Sequence, residues 1–140
     1  MKLFVILSKK TLAIILAVLI ILLILIGQLV SADFEKIDGS TNAKRVAYLK
    51  SLNLEVDDSN TTSKAIIIPE SFSDVYEEYN TLQKKAGFDL SRYKGKTATV
   101  YTYSLSSGYD VHVIVCNNVI IGGDIASLSL YGDMKPLTKI

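Results

Sequence analysis

His112 and Cys116 are the single histidine and the single cysteine of this 140-residue chain. They are its first candidates for nucleophilic chemistry, in which a thiolate attacks and an imidazole takes the proton. Both fall in 110–116, an apolar run that reads as a strand. Four strand residues span about 13 Å at roughly 3.3 Å per residue, so the two side chains share a face without touching. His112 is therefore expected to be a satisfied sheet histidine, and Cys116 a small buried hydrophobe. One histidine and one cysteine also leave a zinc site short of ligands. Acid–base chemistry would need carboxylates such as Asp89, Asp110 and Asp124 to converge in a cleft beside Tyr76 or Tyr101. The plainer expectation for each is a turn carboxylate that accepts backbone N–H bonds. The sequence thus names no catalytic, cofactor-binding or metal-ligating residue.

Eight tyrosines carry the remaining polar-tipped apolar area. Tyrosine joins a large ring to a hydrogen-bonding hydroxyl, the combination that interfaces use. The residues that read as a candidate interaction surface are Tyr76, Gln83, Tyr101, Tyr103 and Asp124.

Those residues need elements to position them. A helix is expected at 42–52, capped by Thr41 or Asn42, with Val46 and Leu49 on its apolar stripe. Residues 54–56 alternate as a short strand that the cluster 57–60 ends in a turn, and 65–68 forms a second strand stopped by Pro69. A second helix starts at Ser71, with Asp74 completing a capping box. Its residues Val75, Tyr79, Leu82 and Ala86 recur at helical spacing and should face a sheet, while Tyr76 and Gln83 share a flank. Gly87 is its C′ residue, with Phe88 folding back as the hydrophobic contact.

Beyond Lys96 the period changes to two. Residues 97–105 read as a strand, 106–108 as a turn, and 110–116 as a strand apolar on both faces, hence central. Asn117-Asn118 makes a two-residue hairpin turn back into 119–121. Gly122-Gly123 permits a bulge, and Ile125, Leu128 and Leu130 a final strand, bent near Ala126. After a turn at 131–133, Met134 and Leu137 pack the tail on the domain. The expected class is α+β: one N-terminal transmembrane helix, then two helices packed on a mostly antiparallel sheet of four or more strands.

The transmembrane expectation rests on 12–26, an unbroken apolar run within an uncharged stretch at 11–30. Twenty helical residues rise about 30 Å, close to a bilayer core. Lys2, Lys9 and Lys10 precede it, and Asp33 and Glu35 follow, which places the N terminus in the cytoplasm. Residues 1–32 then form an anchor or uncleaved signal sequence, 33–41 a short tether, and 42–140 a small extracytoplasmic domain. The alternative is secretion after cleavage near Ala32. All 14 acidic residues, and all but three of the 15 basic ones, follow Val30. That mixed surface speaks against nucleic acid as a partner. The expected partners are membrane lipid, through residues 11–30, and an envelope protein or cell-wall component. The best reading of function is a membrane-tethered, non-enzymatic binding or envelope-assembly domain. The alternatives are a small cell-envelope enzyme using carboxylates, and a sensory ectodomain acting through another protein.

From the second helix onward the chain resembles a known family. The run FSDVYEEYNTLQKKAGFDL at 72–90 looks like its signature. Tyr93-Lys94-Gly95-Lys96, Val119-Ile120-Ile121-Gly122-Gly123-Asp124-Ile125 and Gly132-Asp133-Met134-Lys135-Pro136-Leu137 continue the pattern in the same order. This is similar to the DUF4830 family of uncharacterised anchored or exported proteins from clostridia and their relatives. The resemblance covers roughly 41–137 and is firmest over 72–124. It implies a Gram-positive host with one membrane and a domain facing the cell wall, and it carries over no catalytic residue, substrate or cofactor.

Overall fold

The computed structural model describes residues 8–30, 36–129 and 132–139, with side chains of 26–30 outside that description. The chain divides into two units between residues 34 and 35. The first contains α1 (Lys9–Val30), whose first turn is held by Ser8, the Oγ of which accepts the Thr11 N–H. Its side chains through Leu25 are exposed. Among the described residues, no helix is long and apolar enough to cross a membrane. The expectations placed on Lys2, Asp33, Glu35 and a cleavage near Ala32 lie outside the described residues.

The second unit is α+β. Its strands are β1 (Val56–Ile67), β2 (Thr97–Leu105), β3 (Tyr109–Cys116), β4 (Val119–Ser127) and β5 (Met134–Pro136), joined as an antiparallel meander in that spatial order. The helices are α2 (Asn42–Ser51), α3 (Asp74–Lys85) and a single 3-10 turn at Leu90–Tyr93.

Two short strands expected at 54–56 and 65–68 are one strand, β1. The polar cluster between them is a bulge where the pairing with β2 shifts between Asp57 and Thr62. There the Ser59 N–H and hydroxyl both donate to Asp57, so the cluster satisfies its own polar groups while β2 carries the ladder on. β4 likewise runs on to Ser127 rather than ending at Ile121.

Thr41 caps α2 as expected, accepting the Lys44 N–H at 3.3 Å. The cap of α3 is Ser73, not Ser71: its Oγ accepts the Tyr76 N–H. The inward face of α3 is also rotated from the expected one. Val75 is 77% exposed, while Asn80 and Gln83 are buried. Both amides supply acceptors that buried backbone donors require: Asn80 Oδ1 takes the Leu90 N–H and Gln83 Oε1 takes the Gly123 N–H, each at 2.8 Å. Backbone satisfaction outweighs the burial of one valine.

α3 stops where the sequence says. Gly87 has φ +84°, its N–H bonds to Lys84 O, and the Phe88 N–H bonds to Gln83 O. Those two bonds make a Schellman motif. A Cβ at Gly87 would meet nothing within 4 Å, so the cost of alanine is purely conformational. Gly87→Ala is expected to destabilise the chain by about 1 kcal/mol, with Gly87→Asn milder. Chemical denaturation of the full chain checks this, and parental stability in the alanine variant would contradict it.

The sheet is covered on both faces. Tyr103, Val111, Val113, Val115, Ile120 and Ile125 lie with Val46 and Leu49 of α2. Ala98, Ile114, Cys116 and Ile121 lie with Leu90, and Tyr76 and Tyr79 of α3 pack against them. The central place of β3 follows from its apolar residues on both faces. The segment expected as a tether is pinned from Ile37: the Ile120 N–H bonds to Ile37 O, and the Gly39 N–H to Asn118 O. β5 pairs with β4 at 124–126. The outer edge of β4 is thus occupied by Ile37–Gly39, the Gln83 amide and β5 in turn.

Candidate functional site

The site begins at the hairpin between β3 and β4. Asn117 and Asn118 have φ of 48° and 65°, the paired left-handed residues of a tight two-residue turn. Counted back from the Cys116–Val119 pair, an unbroken register would set Gly123 opposite His112 and turn Asp124 to the other face. The register breaks instead. Val115 pairs with Ile120 but Ile114 pairs with Gly122, which leaves Ile121 as an extra residue. One extra residue inverts the faces of everything after it. His112 now sits opposite Asp124, on the side of the sheet that α3 covers.

The Asp124 carboxylate is 3% exposed. Its Oδ1 lies 2.7 Å from His112 Nδ1, and its Oδ2 accepts the Tyr79 hydroxyl at 2.6 Å. One buried acid therefore joins β3, β4 and α3. The hydrogen bond that His112 donates to Asp124 raises the His112 pKa against the opposing effect of burial. Burial, followed by the charge of Asp124, pushes the Tyr79 hydroxyl far above its ordinary value. Tyr79 thus remains a neutral donor throughout the accessible pH range.

A groove of about 440 Å³ lies beside this network, lined by Val75, Tyr76, Glu78, Tyr79, Leu82 and Met134. Its aromatic wall is braced by ring contacts, with Phe72 4.6 Å and Tyr79 6.0 Å from the Tyr76 centroid. Burial raises the Tyr76 pKa as well. Met134 is 49% exposed on the opposite wall.

An Asp–His pair engaged through Nδ1 can orient an imidazole as a general base. Among the described residues the hydrogen bond of His112 is to Asp124, and no hydroxyl or thiol is bonded to its ring. The three carboxylates have separate hydrogen-bond partners. Asp89 caps the 3-10 turn, accepting from Ser91 and Asn80, and burial opposes the lowering of its pKa by those bonds. Asp110 accepts the Ser104 hydroxyl at 3.0 Å on the sheet. Of the three, Asp124 is the one that accepts the Tyr79 hydroxyl. Among the described residues no group of three or more His, Cys, Asp and Glu side chains is placed to hold a metal.

The five residues read as an interaction surface fall on two sides of the sheet. Gln83, Tyr103 and Asp124 are buried and add nothing to a surface. Tyr76 lines the groove. Tyr101 lies on the other face, under the Arg45 guanidinium at 3.5 Å from its ring centroid. Gln83 is committed to Gly123 through Oε1, and its buried Nε2 finds no partner among the described residues.

Sequence reasoning gave His112 and Tyr79 no joint role, and it did not single out Arg45. Arg45 is 5% exposed; its Nε donates to the Tyr103 hydroxyl and its Nη1 to Gly39 O. The Tyr103 hydroxyl in turn donates to Asn42 Oδ1. Gly122-Gly123, flagged as permitting a bulge, was the one sequence signal for the pairing of Asp124.

A family model described as a domain of unknown function, DUF4830, matches residues 48–125, a span that includes Tyr79, His112 and Asp124. No curated protein and no solved structure matches the chain.

Proposed function

This chain belongs to the DUF4830 family, and we propose that it is a membrane-tethered, non-enzymatic binding domain outside the cytoplasm. The tether is the uncharged stretch 11–30, whose length suits a bilayer core and whose flanking lysines direct the N terminus inward. Membrane lipid is the partner of that segment. The partner of the domain is an envelope protein or a cell-wall component.

The groove between α3 and β5 carries this reading. Val75, which the sequence spaces for burial, is 77% exposed along it, and Met134 is 49% exposed. Tyr76 and Glu78 add a polar-tipped ring and an acid. Apolar area with a few placed polar groups is what a recognition site offers.

The test is in intact cells, with a photo-crosslinking residue placed at Val75 or Met134 of the full chain. A discrete adduct is expected from these two positions and not from Thr62 on exposed β1. Protease added outside protoplasts should degrade the domain. Absence of a reproducible adduct, together with protection from external protease, would overturn the reading.

A further inference from the structure

The geometry points to a proton-linked clamp, in which the charge on His112 holds α3 against the sheet through Asp124 and Tyr79. A carboxylate with 3% exposure is costly unless its charge is met. Asp124 receives one hydrogen bond from β3 and one from α3. With His112 charged, the buried pair is neutral overall. With His112 neutral, Asp124 keeps two neutral donors and an unmatched charge. Lifting α3 would then bring water to the carboxylate, so an unmatched charge favours release of α3 and a matched one favours docking.

The surroundings leave His112 as the cation that does this. Across β2 it faces Thr102, and across β5 Asp124 faces Pro136, neither of them charged. Asp110, on β3 itself, adds a further negative potential at His112. From α3 come Tyr79 and, beside it, Tyr76, with Glu78 at the groove. Among the described ion pairs, Lys44 and Lys135 are committed to Asp38 and Asp133.

The folded-state pKa of His112 is raised. Its stabilising effect is therefore fully present below the ordinary histidine value of about 6.5, and is lost as pH rises through the raised value. The clamp holds in acid and slackens toward alkaline pH. This inference stands apart from the binding role, since it concerns only how α3 is held.

A single histidine makes the test direct. In the full chain in detergent micelles, the His112 ring resonance is titrated by NMR, and the protection of α3 amides against hydrogen exchange is followed over the same range, corrected for intrinsic base catalysis. Protection should fall between the ordinary histidine value and the raised His112 midpoint and level off above it, by at most about tenfold for each unit separating the two. Asp124→Asn should lower the His112 midpoint and abolish the step. Tyr79→Phe should leave the midpoint raised and shrink the step. If Asp124→Asn does not fold, the parent curves and Tyr79→Phe decide. In the parent a fall outside that window, an unshifted midpoint in Asp124→Asn, or a full-sized step in Tyr79→Phe would overturn the clamp.

Discussion

Gly123→Ala is expected to be the most damaging single methyl in the second unit. An ideal Cβ at Gly123 would lie 2.3 Å from the His112 carbonyl oxygen and 2.5 Å from Leu137 Cδ2. Neither neighbour can yield cheaply. The carbonyl belongs to the β3 backbone beside the Asp124 pair, and Leu137 is 1% exposed in the core. Overpacking against movable side chains costs about 1–3 kcal/mol, and a backbone clash belongs at or above the top of that range. Against a total stability of roughly 5–15 kcal/mol, this removes a large share. Gly122→Ala makes the useful contrast. Its Cβ would meet Gln83 Oε1 at 2.7 Å and Leu90 Cδ2 at 3.2 Å, both side-chain atoms. Its expected loss is smaller, and comes through the displaced Gln83–Gly123 bond. Denaturant unfolding of the full chain measures both. A Gly123→Ala chain with the parental midpoint would mean that β4 does not approach β3 and Leu137 as described.

Asp124→Ala should be the most costly loss of a polar group. It strips the Tyr79 hydroxyl of its acceptor and His112 of its counter-charge in one step. Leaving the Tyr79 hydroxyl and the 29%-exposed His112 ring without their acceptor costs about 1–3 kcal/mol. Asp124→Asn keeps an oxygen for Tyr79 and can hydrogen-bond the imidazole, so about half that loss is expected. The pH profile separates charge from packing. The parent should lose stability as pH rises through the raised His112 value, while Asp124→Ala and Asp124→Asn should not show that loss. Equal losses in the two variants would show that Asp124 acts through its charge, and that the volume and hydrogen bonds an amide can keep contribute little.

Much of the fold was legible because the signals were local. Thr41 caps α2 by accepting from Lys44, three residues on. Gly87 ends α3 through bonds to Gln83 and Lys84. The Asn117-Asn118 turn closes within itself, and 97–105 follows from period-two alternation alone. In each case the donor, the acceptor and the conformational preference lie within a few residues. Stability is decided there without reference to the rest of the chain.

What the sequence could not show depends on partners distant along the chain. The turn-forming cluster after Asp57 becomes a bulge because β2 continues alongside it. Val75 is exposed, and Asn80 and Gln83 are buried, because backbone N–H groups at Leu90 and Gly123 need acceptors. No count along α3 contains those donors. The site itself hangs on one residue. Period-two alternation from the hairpin turn sends Asp124 away from His112, and the extra Ile121 brings it back. Composition and spacing therefore determined which residue types this chain has for buried polar chemistry. The tertiary register decided which of them meet, because in a strand a shift of one residue is a change of face.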